Sequence, residues 1–191
     1  MVMDKPFTTA SPVLANYNYT DIATGTGLEK FYLSQTKTTT ETTYDLIKES
    51  FYSSNINISS GNYSFDMSPI TLPRTVVGTA YIILHYYTGS GASGGITASL
   101  YKVGIDDTET LIGTEEPHIN TDSKKTGTAV AKIEVSENVI SYGEKLRLKI
   151  ESDARIYTNP LNESWGWSYG VDSGTYDYSD SNVIIPFKLD L

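Results

Sequence analysis

The chain has 191 residues, of which 39% are hydrophobic and 19% charged, enough for one domain with its own core and short for two. Fourteen Lys and Arg against 23 Asp and Glu leave a formal net charge of −9, which argues against a nucleic-acid partner, because a phosphate backbone needs a basic stripe to displace its counterions. No cysteine is present, which excludes disulfides, thiolate metal sites and a cysteine nucleophile.

The missing charge is replaced by Thr, Ser, Asn, Gly and 15 Tyr. Thr and Tyr favour pleated, half-buried surfaces, and the small polar residues favour turns. Residues 1–27 carry Pro6, Pro12, Gly25 and Gly27 without hydrophobic periodicity. They read as an extended N-terminal arm that must lie on its own domain or on a neighbour to be held. The opening Met1 to Pro6 is polar too soon for a secretory leader. The longest near-apolar run, 76–87, is too short to cross a bilayer, so no membrane partner is expected.

Residues 28–191 are expected to form a single β-sandwich domain. Strand signals begin at 28–34. Residues 42–50 carry a weak helical turn, followed by the alternation Asn55-Ile56-Asn57-Ile58. A short strand at 63–67 is stopped by Pro69 and Pro73.

The strongest strand signal is 74–87. Val76, Ala80, Ile82, Leu84 and Tyr86 share one face, and Val77, Tyr81, Ile83 and Tyr87 the other. Two apolar faces predict a central strand covered on both sides. A Gly/Ser loop, 89–95, precedes an alternating strand at 96–103, a turn at 104–107 and a hairpin partner at 110–114. Ala129, Ala131, Ile133 and Val135 point inward on the next strand. Leu146, Leu148 and Ile150 point inward on the following one, with Lys145, Arg147 and Lys149 read as its solvated face. Val183, Ile185, Phe187, Leu189 and Leu191 line the last strand, where Pro186 implies an edge or a bulge. Strands at this spacing, with no helical repeat, predict an all-β antiparallel sandwich of jelly-roll type with a long loop before the last strand.

Candidate chemistry is sparse. His85 reads as a hydrogen-bonded structural residue and His118 as exposed, with no second His at metal spacing. The acidic stretch Asp172 to Asp180 does not follow the order of a calcium loop. No Gly-x-Ser-x-Gly elbow is present, and the Gly-rich 89–95 lacks the Lys of a phosphate loop. No catalytic residue, cofactor or metal is therefore assigned. The segment 152–182 is the candidate site, because it gathers Trp165, Trp167, Tyr169, Tyr176 and Tyr178 among Gly, Ser and Asp. Such residues suit a subunit interface, a stacking platform for sugars, or a loop folded back to cap its own sandwich.

Two stretches carry a family resemblance. One is Tyr17-Asn18-Tyr19-Thr20-Asp21-Ile22 running to Gly27, followed by Phe31-Tyr32-Leu33. The other is Gly143-Glu144-Lys145-Leu146-Arg147-Leu148, followed after the aromatic loop by 185–191, with Leu72-Pro73-Arg74 between them. Together they resemble tailed-bacteriophage virion structural proteins. The resemblance implies a non-enzymatic auxiliary capsid protein that decorates the head, assembled in the host cytoplasm and acting in the virion. It implies contact with a major capsid protein or other virion proteins, and a homo-oligomer such as a trimer. Tyr17 and Tyr19 of the arm and the tyrosines and tryptophans of the loop would form the interface. A tail or baseplate subunit, or a carbohydrate-binding host-recognition module, are the alternatives.

Overall fold

In the computed structural model the described residues are 26–37, 43–48, 57–58, 61–88, 95–122, 125–157 and 181–188. They are all-β. The strands are β1 (Thr26–Lys37), β2 (Thr43–Ile47), β3 (Asn57–Ile58), β4 (Gly61–Met67), β5 (Arg74–Thr88), β6 (Ile96–Val103), β7 (Glu109–Glu115), β8 (Lys125–Ile140), β9 (Lys145–Ser152), β10 (Arg155–Tyr157) and β11 (Asn182–Lys188). They form one sheet in the order β3-β10-β5-β11-β1-β2-β4-β9-β6-β7, with β8 added on β5. The sheet is mixed: β2 runs parallel to β4, and every other pair is antiparallel.

The sheet curls into a half-barrel that brings its far ends together. Lys102 Nζ on β6 donates to the Val139 carbonyl on β8 at 2.9 Å. On β7, Gly113 lies so close to β8 that an added Cβ would sit 2.1 Å from Ile133 Cγ2. Curling of this kind lets both halves of one sheet bury their inner faces in a common core. Ile82, Leu84 and Val76 of β5, Leu100 of β6, Ile133 of β8, Leu146 and Leu148 of β9, and Phe187 of β11 are each almost wholly buried there. Each such side chain contributes roughly 1.5–3 kcal/mol relative to exposure.

The alternations expected at Ala129 to Val135 and Leu146 to Ile150 hold, as does the hairpin of β6 and β7, whose turn places Asp107 at φ 60°. Residues 43–47 are a strand and not a helical turn. Thr43, Tyr44 and Ile47 are β-branched or aromatic, and the segment hydrogen-bonds to β1 on one side and β4 on the other. β5 is central, between β8 and the collinear pair β11 and β10. Its second face is only half-buried at Val77, Tyr81, Ile83 and Tyr87, so the described residues do not supply the full cover expected there. Pro186 lies in a strand with partners on both sides, and the register between β11 and β5 shifts between Ile184 and Phe187. The missing amide is thus absorbed by an irregularity rather than an edge. Gly78 faces it with φ 110°, a conformation that an L side chain rarely adopts.

Gly113→Ala tests the closure of the curl. Overpacking against Ile133, a branched side chain that is itself buried, is expected to cost about 1–3 kcal/mol, read from urea denaturation.

Candidate functional site

Phe65 and Met67 point into the core from β4, so Asp66 between them points out. Its cross-strand neighbour on β9 is Arg147, and its parallel neighbour on β2 is Asp45. The outer face of this half of the sheet therefore holds a layer of charge. Arg147 Nε and Nη2 grip the two Asp66 oxygens at 2.5 and 2.7 Å, the bidentate geometry that a planar guanidinium favours. Arg147 Nη1 reaches Glu109 on β7 at 2.7 Å, and Lys149 Nζ takes the other Glu109 oxygen. Lys145 adds a second cation to Asp66 at 2.7 Å, and Lys149 also lies over the Tyr101 ring, 4.8 Å from its centroid.

Arg147 is 9% exposed and Asp66 6%. The alternating cations of β9 are thus not a uniformly solvated face: the middle one is buried and paired. Burial works to raise the Asp66 carboxyl, but hydrogen bonds and charge from Arg147 and Lys145 outweigh it and hold the pKa below the usual carboxylate range. Glu109 follows the same logic, with burial opposed and outweighed by Lys149 and Arg147. Its hydrogen bonds to Asp66, ahead of the opposing burial, push the Arg147 guanidinium above its ordinary value. Asp45 goes the other way, raised by burial and then by the Asp66 charge. The layer clamps β4, β7 and β9 together. Among the described residues no group of three or more His, Asp or Glu could hold a metal ion.

A second constellation lies at the end of β5. His85 is 6% exposed, and its Nδ1 lies 2.9 Å from Thr128 Oγ1, on the directly paired residue of β8. Which atom donates depends on the imidazole tautomer. The His85 backbone amide donates to Ser181 Oγ at 2.9 Å, so that serine is engaged with the main chain rather than with the imidazole ring nitrogen that Thr128 meets. His85 is hydrogen-bonded and His118 exposed, as their sequence contexts suggested. Tyr17, Tyr19, Trp165, Trp167, Tyr169, Tyr176 and Tyr178 all lie outside the described residues, so the proposed aromatic interface is not placed by the structure. What the sequence reading missed is the charge layer. Its signal was present in Asp66, an acid flanked by two large apolar residues on a strand.

No protein-family model matches the chain, and no curated protein matches it. Solved structures do. A CocE/NonD family hydrolase from Staphylococcus aureus aligns with a TM-score of 0.60 at 13% identity, over 85% of this chain and 37% of its own. An aminopeptidase from a marine sediment Thaumarchaeota archaeon aligns at 0.52 and 8% identity, over 85% of this chain and 35% of that one. An alpha-amino acid ester hydrolase aligns at 0.50 and 10% identity, over 83% and 35%. The chain shares its fold with a part of these enzymes. It spans little more than a third of their length.

This likeness corrects the reading as a non-enzymatic virion decoration protein. The neighbours are hydrolases and an aminopeptidase, not phage structural proteins. The motifs behind that reading have local explanations. Gly143-Glu144 is a turn, with Gly143 at φ 81°. Leu146 and Leu148 are core, and Lys145 and Arg147 belong to the charge layer. Such features arise in many unrelated β-proteins.

Arg147→Met leaves Asp66 with Lys145 alone. It is expected to cost about 2 kcal/mol or more, short of the ~3–5 of a fully buried broken pair, whereas Lys188→Met, whose pair with Glu137 is exposed, should cost less than ~0.5 kcal/mol. Urea denaturation compares the two. The charge layer also sets an acid dependence. Asp66 and Glu109 have depressed pKa values in the fold, so their stabilisation is complete above the unfolded carboxylate pKa. It is lost as pH falls through the lower folded values. Asp45, with a raised pKa, contributes the opposite sign and offsets part of the loss. Thermal melts taken from neutral pH into that acid range should show a steeper fall for the wild type than for Arg147→Met.

Proposed function

We propose that this chain is the all-β part of a hydrolytic enzyme acting on ester or amide bonds, packing beside a catalytic unit and helping to shape it. The observation that carries this reading is the alignment of 85% of the chain onto 37% of a CocE/NonD family hydrolase, with an aminopeptidase and an amino acid ester hydrolase aligning over similar shares. We further read the curled sheet as two facing layers of jelly-roll kind, with β8-β5-β11-β1 in front and β2-β4-β9-β6-β7 behind. The charge layer suits a rigid partner: its carboxylates are spent on Arg147, Lys145 and Lys149, so it stiffens the sheet rather than reacting. The described contact best suited to proton transfer is His85 Nδ1 with Thr128 Oγ1, a hydroxyl within reach of an imidazole.

An affinity-tagged chain, isolated natively from its source and resolved by gel filtration, tests the proposal with p-nitrophenyl esters and aminoacyl p-nitroanilides. Turnover that coelutes with the chain is expected, and its absence on every substrate overturns the reading. His85→Ala then locates the chemistry. A fall in kcat with unchanged elution places it at the His85–Thr128 contact, and unchanged kcat places it in the companion unit.

A further inference from the structure

Three connections meet at one end of the curl: residues 68–73 between β4 and β5, 104–108 between β6 and β7, and 141–144 between β8 and β9. The Gly143 amide donates to the Ile70 carbonyl and the Ile70 amide to the Glu144 carbonyl, both at 2.8 Å. Ile105 lies against Gly143, where an added Cβ would sit 3.1 Å from its Cδ1. Each connection carries one outward apolar side chain. Leu72 is 74% exposed, Ile105 75% and Tyr142 69%, the three most exposed large hydrophobic residues among those described. One such residue alone asks for no explanation, but three gathered on turns that are bonded and packed together form a patch. Pro69 and Pro73, both exposed, bracket the Leu72 segment and hold it in few conformations before anything docks.

The charge around this patch is one-sided. Lys102 is committed to Glu144, Lys145 to Asp66 and Arg74 to Glu29. Asp106 and Asp107 are exposed beside Ile105. Asp106 accepts from the Thr108 amide of its own turn, and Asp107 lies 3.6 Å from the lysine already on Asp66. A second copy of this chain would bring the same two acids, on a chain whose net charge is −9, and like charges oppose such a contact. The complement is a surface with an apolar centre and a basic rim. The other faces offer less. Over β4, β9 and β7 the carboxylates are spent on internal cations, and over β5 and β8 Tyr81 and Ile83 share the surface with Lys132 and Glu134.

We propose that the companion catalytic unit seats on this three-turn end, with Leu72, Ile105 and Tyr142 at the centre of the contact and lysines or arginines of its own facing Asp106 and Asp107. This rests on the hydrolytic reading, which supplies the companion.

The chain has no cysteine, so single thiols can be placed at Leu72→Cys and Ile105→Cys, with Leu111→Cys on β7, 51% exposed, as the control. Each tagged variant is isolated natively from its source. The rate of maleimide labelling is then read by mass spectrometry in the gel-filtration fraction that carries ester or anilide turnover. Leu72→Cys and Ile105→Cys are expected to react at least about tenfold more slowly than Leu111→Cys, because a seated partner denies the reagent access. Leu72 has Thr71 and Pro73 as its neighbours, so slow labelling there is not an effect of adjacent acids on the thiol. Loss of coeluting turnover in the two end variants alone, with an unchanged circular dichroism spectrum, supports the seating equally. Equal labelling rates in a fraction that has turnover overturn the seating and leave the hydrolytic reading standing. Absence of turnover from the wild-type fraction overturns both. Protection in a fraction whose light-scattering mass is a whole multiple of this chain's own assigns the end to a second copy, and overturns the seating too.

Discussion

Strand β5 has strand partners along both edges over most of its length. One edge is taken by β8 and the other is shared by β11 and β10, with one register shift on each side. A strand in that position cannot be displaced without stranding main-chain donors and acceptors, each costly to bury unpaired. The remaining elements follow from it. β11 carries β1 on its far side, β1 carries β2, and the sheet continues through β4, β9 and β6 until β7 returns to β8. The inner residues of β5, Val76, Ala80, Ile82 and Leu84, are wholly buried because the returning half of the sheet covers them.

The two outer faces of the curl solve their exposure differently. Over β4, β9 and β7 the answer is electrostatic: carboxylates and cations alternate across strands, with Arg147 buried between Asp66 and Glu109. Opposite charges on adjacent strands gain from the lowered dielectric only because each is hydrogen-bonded to a partner. Over β5, β8 and β11 the face is mixed, with half-buried Tyr81, Ile83 and Ile184 set among Lys132, Glu134, Thr128 and Asn182.

The fold is shared with parts of solved hydrolytic enzymes, at identities of 8–14%. The described sheet brings rigidity, a sealed charge layer and one imidazole–hydroxyl contact. Lone motifs such as a Gly-Glu turn before an alternating strand occur wherever a β-hairpin meets a core, which is why they carry no specific family signal.

Much of the architecture was legible because strand alternation is a local property. The inward sets on β8, β9 and β11 follow from a two-residue period acting on neighbouring side chains, and Pro186 announced an irregularity through its missing amide. The strand at 43–47 was harder, since its partners are β1 and a parallel β4, and nothing nearby in the chain signals a parallel neighbour. The charge layer was harder still. Asp66 and Arg147 are 81 residues apart, and the burial of Arg147 depends on the register of β4 against β9 and on Glu109 arriving from a third strand. Composition and period thus settle that the chain is β and which side chains face its core. Which strands meet, how the sheet curls and which charges end up paired rest on long-range register, because those contacts exist only once distant strands have been brought side by side.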